Sequence, residues 1–235
     1  AAQDDIEPGL SEKLLQQEEE TTQQASLQPQ ETPVESAPPP SAVEAQENYV
    51  PVAPTGAMAR DPSLPDTIKK VEEQAFAGAP EAQHDLAAIY TAGHGGATQD
   101  YSRASYWFRK AADQGVGNAA YNLGVLYHQG LGVKPNINEA IHWYEIAANL
   151  GHPEAQYNLG IAYIEGIGVP YSPVKASQNF EAAARGGVME AAYNLGLIHE
   201  NGLLGEPKPD AALMWYKQAA DQGSPEAKAA LEQLA

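Results

Sequence analysis

Three Tyr-Asn pairs recur at intervals of 36 residues and carry the side chains best suited to binding chemistry. The pairs are Tyr121-Asn122, Tyr157-Asn158 and Tyr193-Asn194. Each Asn side chain offers both a hydrogen-bond donor and an acceptor, the combination that pairs with a peptide backbone. Each Tyr adds contact area at low entropic cost. The pairs predict a ladder for a bound polypeptide segment, while a second interpretation, that they tie neighbouring structural units together, fits the spacing equally well.

The residue types and their spacing give little indication of a catalytic site. The chain has no cysteine, which excludes disulfides, thiolate metal sites and cysteine nucleophiles. Its six histidines include no pair at metal-ligand spacing on one helix, and His94 lies in a glycine loop that matches no phosphate-binding motif. Acid/base catalysis needs two carboxylates that converge in a pocket, and a repeated surface offers no obvious unique cleft. We expect no catalytic residue, no metal and no cofactor.

The charge of the chain restricts its partners. Acidic residues outnumber Lys and Arg by 31 to 13, which gives a formal net charge of −18. Such a charge repels phosphate backbones and anionic lipid surfaces, so we expect neither a nucleic-acid partner nor direct membrane insertion. The start Ala1-Ala2-Gln3 fits the residues that follow a small-residue cleavage site, which favours an exported protein. A chain trimmed at its start would begin in the same way.

The first 63 residues differ in composition from the rest. Residues 1–60 hold 11 acidic and 2 basic side chains, with Tyr49 as their one aromatic residue, and are rich in Gln, Glu and Pro. Such a segment buries too little apolar surface to offset the entropy of ordering its backbone. We predict a disordered acidic tether over residues 1–63, stiffened in places by proline.

Self-similarity at a fixed period organises the remaining chain. The leucine column, with spacings of 37, 36, 36 and 36 residues, consists of Leu86, Leu123, Leu159, Leu195 and Leu231. Within one copy, residues 155–163 have the apolar spacing of a first helix, Ser172-Pro173 is a good start for a second helix, and Gly186 or Gly187 ends it. The full copies are expected at about 81–117, 118–153, 154–189 and 190–225, between half copies at about 64–80 and 226–235.

Capping and glycine residues refine this prediction. Asp100, Asn136 and Ser172 occupy matching capping positions before the second helices, and Lys208 breaks the series. A single hairpin cannot bury its apolar face alone, so neighbouring copies must stack. Glycine inside a helix costs about 1 kcal/mol relative to alanine. The glycines inside the first helices therefore predict close approach of another helix backbone; they are Gly124, Gly160 and Gly196.

Three stretches carry a family resemblance. They are residues 130–133 (GLGV), 140–148 (AIHWYEIAA) and 155–163 (AQYNLGIAY), and related stretches recur in every copy over about 170 residues. The chain resembles the Sel-one-like repeat (SLR) family, a relative of the tetratricopeptide repeat. The resemblance implies an all-α fold, a right-handed α/α superhelical solenoid of helix-turn-helix repeats. It also implies an adaptor or regulator in multiprotein assemblies, commonly exported or periplasmic in bacteria.

The resemblance further implies where a partner binds. In solenoids of this kind the first helices line the concave surface, so the three Tyr-Asn pairs are expected there. Side chains that vary between copies on the same surface would encode specificity; they are His84, Asp85, His128, Glu165, Glu200 and Asn201. The implied partners are other proteins or peptide segments. The linker-plus-repeat layout also resembles the periplasmic parts of bacterial polar-localisation and envelope-regulatory proteins.

Two alternative functions stay open at this point. Some cysteine-rich relatives are proposed to bind or hydrolyse β-lactams or other cell-wall-like compounds, which would make the protein a secreted hydrolase. The cysteine pairs of that branch are missing here. A secreted effector that binds host proteins is the other alternative. We favour a non-catalytic periplasmic scaffold.

Overall fold

The computed structural model of the protein describes residues 56–234. This part of the chain contains ten α-helices, one short 3-10 helix and no β-strand. The helices are α1 (Asp66–Phe76), α2 (Pro80–Ala92), α3 (Tyr101–Asp113), α4 (Gly117–Gln129), α5 (Ile137–Asn149), α6 (Pro153–Glu165), α7 (Pro173–Arg185), α8 (Met189–Glu200), α9 (Pro209–Asp221) and α10 (Pro225–Leu234). The 3-10 helix, His94–Gly96, lies in the loop between α2 and α3.

Each helix packs extensively on its neighbours in sequence, and most tightly on its partner within a hairpin. The four hairpins are α2–α3, α4–α5, α6–α7 and α8–α9, with α1 stacked before them and α10 after them. Their buried side chains form one continuous core along the stack. This arrangement confirms the predicted all-α solenoid of helix-turn-helix repeats. Between residues 56 and 234, no helix combines the length and apolar composition needed to cross a bilayer.

The second helices begin where the predicted caps lie. The side chains of Asp100, Asn136 and Ser172 accept hydrogen bonds from backbone N–H groups three residues later, at 3.0, 3.1 and 3.2 Å. These bonds satisfy amides that have no partner inside the helix. Lys208 precedes α9 without a side-chain capping bond. At the other end of α7, Gly187 and not Gly186 adopts the left-handed conformation, with φ of +95°.

The glycines of the first helices make the close contact with the second helices that the sequence predicted, and the nearest group is an aromatic ring. A Cβ atom on Gly160 would lie 2.5 Å from the Phe180 ring, and one on Gly196 would lie 2.2 Å from the Tyr216 ring. A Cβ atom on Gly124 would lie 2.6 Å from the Tyr144 ring and 3.2 Å from the backbone carbonyl oxygen of Ala140 in α5. An aromatic ring of the second helix therefore fills the space that the side chain would occupy.

The predicted tether, residues 1–63, falls only in part within the described residues. Residues 1–55 of it lie outside the described residues. Residues 58–61, by contrast, run along the first hairpin: the Arg103 Nη1 donates to the Ala59 carbonyl oxygen at 2.8 Å, and the Tyr90 hydroxyl donates to the Asp61 carboxylate at 2.9 Å. The Arg60 guanidinium lies 4.7 Å above the Phe76 ring. Polar contacts hold this short segment in place, and the apolar pattern of the sequence does not reveal them.

Candidate protein-binding surfaces

The predicted Tyr-Asn pairs lie in the first helices α4, α6 and α8. Each tyrosine ring faces the aromatic residue of the second helix in its own hairpin. Tyr121 lies 5.8 Å from Tyr144, and Tyr157 lies 5.8 Å from Phe180, between ring centroids. Tyr193 is 5.7 Å from Tyr216. One face of each tyrosine therefore packs within the hairpin.

The pair Tyr157-Asn158 is buried, whereas the other two pairs are partly exposed. Asn158 is 4% exposed and Tyr157 is 9% exposed. The Asn158 amide lies by the hydroxyl groups of Tyr121 and Tyr144 in the preceding hairpin, where it opposes the rise that burial causes in their pKa. Asn158 thus contacts the hairpin before it, as in the packing interpretation. Asn122 and Asn194 keep part of their surface accessible to solvent.

His152 also contributes to the boundary between the second and third hairpins. His152 stacks on Tyr121 with ring centroids 4.3 Å apart and planes 17° from parallel. Its Nδ1 accepts a hydrogen bond from the Ala155 backbone N–H at 3.3 Å and so caps α6. Burial lowers the pKa of His152, and the Glu154 carboxylate partly opposes that shift. The neutral imidazole is the form that can accept this capping bond.

The six variable positions differ in their accessibility. Four are exposed: Asp85, Glu165, Glu200 and Asn201. His84 and His128 are partly buried. Glu200 accepts a hydrogen bond from the Tyr216 hydroxyl, and the Asn201 side chain donates to the Leu197 carbonyl oxygen at 2.9 Å. The His84 Nδ1 lies 3.5 Å from the Asp85 Oδ1. These side chains give the otherwise repetitive first helices a surface that changes from copy to copy.

A second set of polar side chains lies where hairpins meet. We use the word junction for a place where three helices meet: a second helix, the C-terminal end of the next first helix, and the second helix that follows it. Each junction centres on a tyrosine or histidine near the end of a first helix. Junction 1 contains Glu72, Tyr90 and Arg103; junction 2 contains Arg109, Tyr127 and Glu139; junction 3 contains Glu145, Tyr163 and Lys175; junction 4 contains Glu181, His199 and Lys208, the last of which precedes α9.

The sequence analysis did not select these positions. The column Tyr90, Tyr127, Tyr163 and His199 was visible only as part of the repeat pattern. The charged partners sit at intervals of 36 or 37 residues but change sign between copies. A search for columns of constant charge therefore misses them. Pairing each tyrosine with the charged residues of both adjacent second helices would have found the set.

Junction 1 holds the segment 58–61. The Asp61 backbone N–H donates to the Glu72 Oε2 at 2.9 Å, and the Asp61 Oδ2 lies 4.0 Å from the Arg103 Nε. Burial acts to raise the pKa of Asp61, but hydrogen bonds from Ser63 and Tyr90 and the charge of Arg103 outweigh it and hold that pKa below its ordinary value. The carboxylate is therefore the stable form at this place.

The described residues offer no metal centre. Among residues 56–234, no three His, Asp or Glu side chains lie together in a way that could hold a metal ion. The exposed side of the first helices and the junctions instead suit non-covalent contact with a polypeptide, through amides, carboxylates, ammonium groups and aromatic rings. The fold and its surfaces define a helical-repeat interaction module.

Comparison with known proteins gives the family. The Sel1 repeat model matches residues 80–116, 117–152, 153–188 and 190–224, which is more than half of the chain. The chain belongs to the Sel1 repeat family, as the motif resemblance predicted. No curated protein matches the chain significantly. Members of this family generally serve as non-catalytic interaction scaffolds.

Solved structures support the assignment. A Sel1 repeat protein from Oxalobacter formigenes is 30% identical, with a TM-score of 0.62, over 68% of this chain and 71% of that one. The protein c5321, a protective antigen of uropathogenic Escherichia coli with an SLR fold, is 28% identical, with a TM-score of 0.55. That match covers 68% of this chain but only 42% of the antigen.

Proposed function

We propose that the protein is a scaffold or regulator that binds a segment of another protein along its first helices, on the concave face that such solenoids form. The supporting observation is the contrast between two kinds of column. Buried positions such as Leu123 and Leu159 repeat from copy to copy, whereas exposed positions such as Glu165 and Glu200 vary. A repeated core with a non-repeated surface is what selective binding of one partner requires.

The proposed contact residues follow from exposure. Asn122 and Asn194 supply accessible amides, and Asp85, Glu165 and Asn201 supply the charged and polar groups around them. Asn158 contributes by fixing the spacing between the second and third hairpins. The partner is a protein or peptide segment and not a nucleic acid, because a net charge of −18 repels phosphate.

We place this function in the bacterial periplasm, with the acidic N-terminal segment as a tether that gives the solenoid reach. The support is the bacterial origin of the similar solved structures. Fractionation of cells that produce the protein from its native gene tests the location. Recovery only with cytoplasmic markers would contradict it.

Site-specific cross-linking tests the binding surface. A photoreactive amino acid at Asp85 or Glu165 is expected to capture a discrete partner from periplasmic extract. The same amino acid at Asp210 or Lys217, which are exposed on α9, is the matched control. Once identified, the partner should bind the Asn122→Ala/Asn194→Ala variant about tenfold or more weakly in calorimetry, since two amides that pair with its backbone are lost. Equal capture at all four positions would contradict the assignment.

A further inference from the structure

Junctions 1 and 3 carry the same chemistry in the same register. Glu72 and Glu145 are equivalent positions of second helices, and Tyr90 and Tyr163 are equivalent ends of first helices. Arg103 and Lys175 are the equivalent cations, each in the first turn of the following second helix. Junction 2 has the opposite order, with Arg109 before the tyrosine and Glu139 after it, and junction 4 has Ala211 at the cation position. Of these four junctions, the first and third thus combine an acid, a tyrosine and a cation in this order.

Junction 1 shows what this combination binds. All three of its side chains contact the segment 58–61: Glu72 accepts the backbone N–H of Asp61, Tyr90 donates to the Asp61 carboxylate, and Arg103 faces that carboxylate. Arg103 also donates to the backbone of the segment and contacts the sulfur of Met58, which packs against the core. An aspartate with an apolar residue three positions before it is therefore the matching ligand.

Junction 3 presents the same groups with more accessible surroundings. Lys175 is exposed, and its Nζ lies 5.4 Å from the centre of the Tyr163 ring. Burial raises the pKa of Glu145, and the Lys175 charge opposes that rise. Tyr171 and Val174, which both precede Lys175 closely in sequence, are 59% and 56% exposed, although large apolar side chains are favoured in contact with other apolar groups. An apolar surface beside a polar triad indicates a ligand that has both characters.

We propose that junction 3 is a second docking site, which binds a segment of a partner protein through an aspartate of that segment. The aspartate carboxylate accepts from the Tyr163 hydroxyl and faces the Lys175 ammonium, while its backbone N–H donates to the Glu145 carboxylate. An apolar side chain of the partner covers Tyr171 or Val174. This site uses none of the residues proposed above for the concave face, so the two proposals can be tested independently.

The test uses the full chain and a peptide that copies residues 57–64 with Arg60 replaced by Ala. The replacement is made because Arg60 contacts Phe76, and the position equivalent to Phe76 beside junction 3 is Asn149. Fluorescence anisotropy of the labelled peptide is expected to show saturable binding. Replacing the peptide aspartate with asparagine should weaken it about tenfold, because a charge-assisted contact is lost.

Variants of the protein locate the site. Lys175→Ala and Tyr163→Phe should each weaken peptide binding about five- to tenfold, whereas Lys217→Ala, an exposed lysine of α9, should leave it unchanged. Loss of binding in Arg103→Ala but not in Lys175→Ala would mean that the peptide only displaces the segment at junction 1, and would overturn the proposal. Absence of saturable binding at millimolar peptide would also overturn it. So would dimerisation in sedimentation that Lys175→Ala abolishes, because a second copy would then be the occupant.

Discussion

Each first helix of hairpins two to four has a glycine whose missing side chain is replaced by an aromatic ring. The sequence predicted close approach at Gly124, Gly160 and Gly196, because glycine in a helix interior is unfavourable unless something needs the space. It indicated a helix backbone and not the aromatic ring that lies nearest, since a missing Cβ does not reveal the chemistry of the group that replaces it. The partner ring became identifiable only when the two helices of a hairpin were placed side by side.

The substitution Gly160→Ala tests this contact. Its Cβ would lie 2.5 Å from Phe180, so we expect a loss of about 1–3 kcal/mol in the free energy of unfolding, less the gain of about 1 kcal/mol from helix propensity. In the background of Phe180→Leu, a smaller and more adaptable side chain, the same substitution should cost less. Urea titration of the four proteins in this double-mutant cycle measures the coupling. Additive effects would contradict the contact.

The three asparagines of the ladder show why identical residues differ in accessibility. Asn158 lies by the hydroxyls of Tyr121 and Tyr144. In register, the positions beside Asn122 are His84 and Phe108, and those beside Asn194 include Phe180, so neither set offers the same two hydroxyls. The repeat pattern alone predicted three equivalent sites. The difference comes from side chains of the preceding copy, which a comparison of single columns does not reveal.

At the scale of the helix, sequence reasoning performed best. Capping depends on the residue at one position and on the backbone N–H groups that follow it, so Asp100, Asn136 and Ser172 could be assigned from sequence. The ends of the helices were also readable, because glycine is favoured where φ is positive. The contacts of residues 58–61 were less accessible to such reasoning, since this segment is held by side chains up to 45 positions away.

Helix α9 has no capping side chain, so it can be used to test whether capping residues stabilise these helices. Replacing Lys208 by Asp introduces a side chain that can cap the helix and a negative charge that favours its N-terminus. We expect the free energy of unfolding to rise by about 0.5–1 kcal/mol. Lys217→Asp makes the same change of charge in the middle of the same helix and is the control, expected to give no gain. Equal stabilisation by both, measured by urea titration, would assign the effect to net charge.

At the scale of the whole molecule, the hairpins form a stack in which stability is supplied by neighbours. The segment 58–61 contacts α1 through Glu72 and the first hairpin through Tyr90 and Arg103. A local change there should therefore stay local. This locality is a property of the stacked architecture, which the period of the sequence predicts. The contacts of residues 58–61 cannot be predicted from that period.

Hydrogen exchange can measure that locality. Asp61→Ala removes the acceptor of the Tyr90 hydroxyl, so amide exchange in α1 and α2 should become faster, while α9 and α10 should keep their rates. Asp66→Ala, whose side chain is almost fully exposed, is the control and should change little. Faster exchange along the whole solenoid would show that the stack responds as one cooperative unit.

The neighbour-to-neighbour packing of the solenoid also has a mechanical meaning. Because every extensive helix contact joins elements adjacent in sequence, a pull applied at the two ends passes through the junctions in series. The hairpins would then separate in succession, beginning at the weakest junction, and each would extend the molecule by a similar length. A ligand that bridges two junctions would stiffen the region it spans and leave the rest compliant.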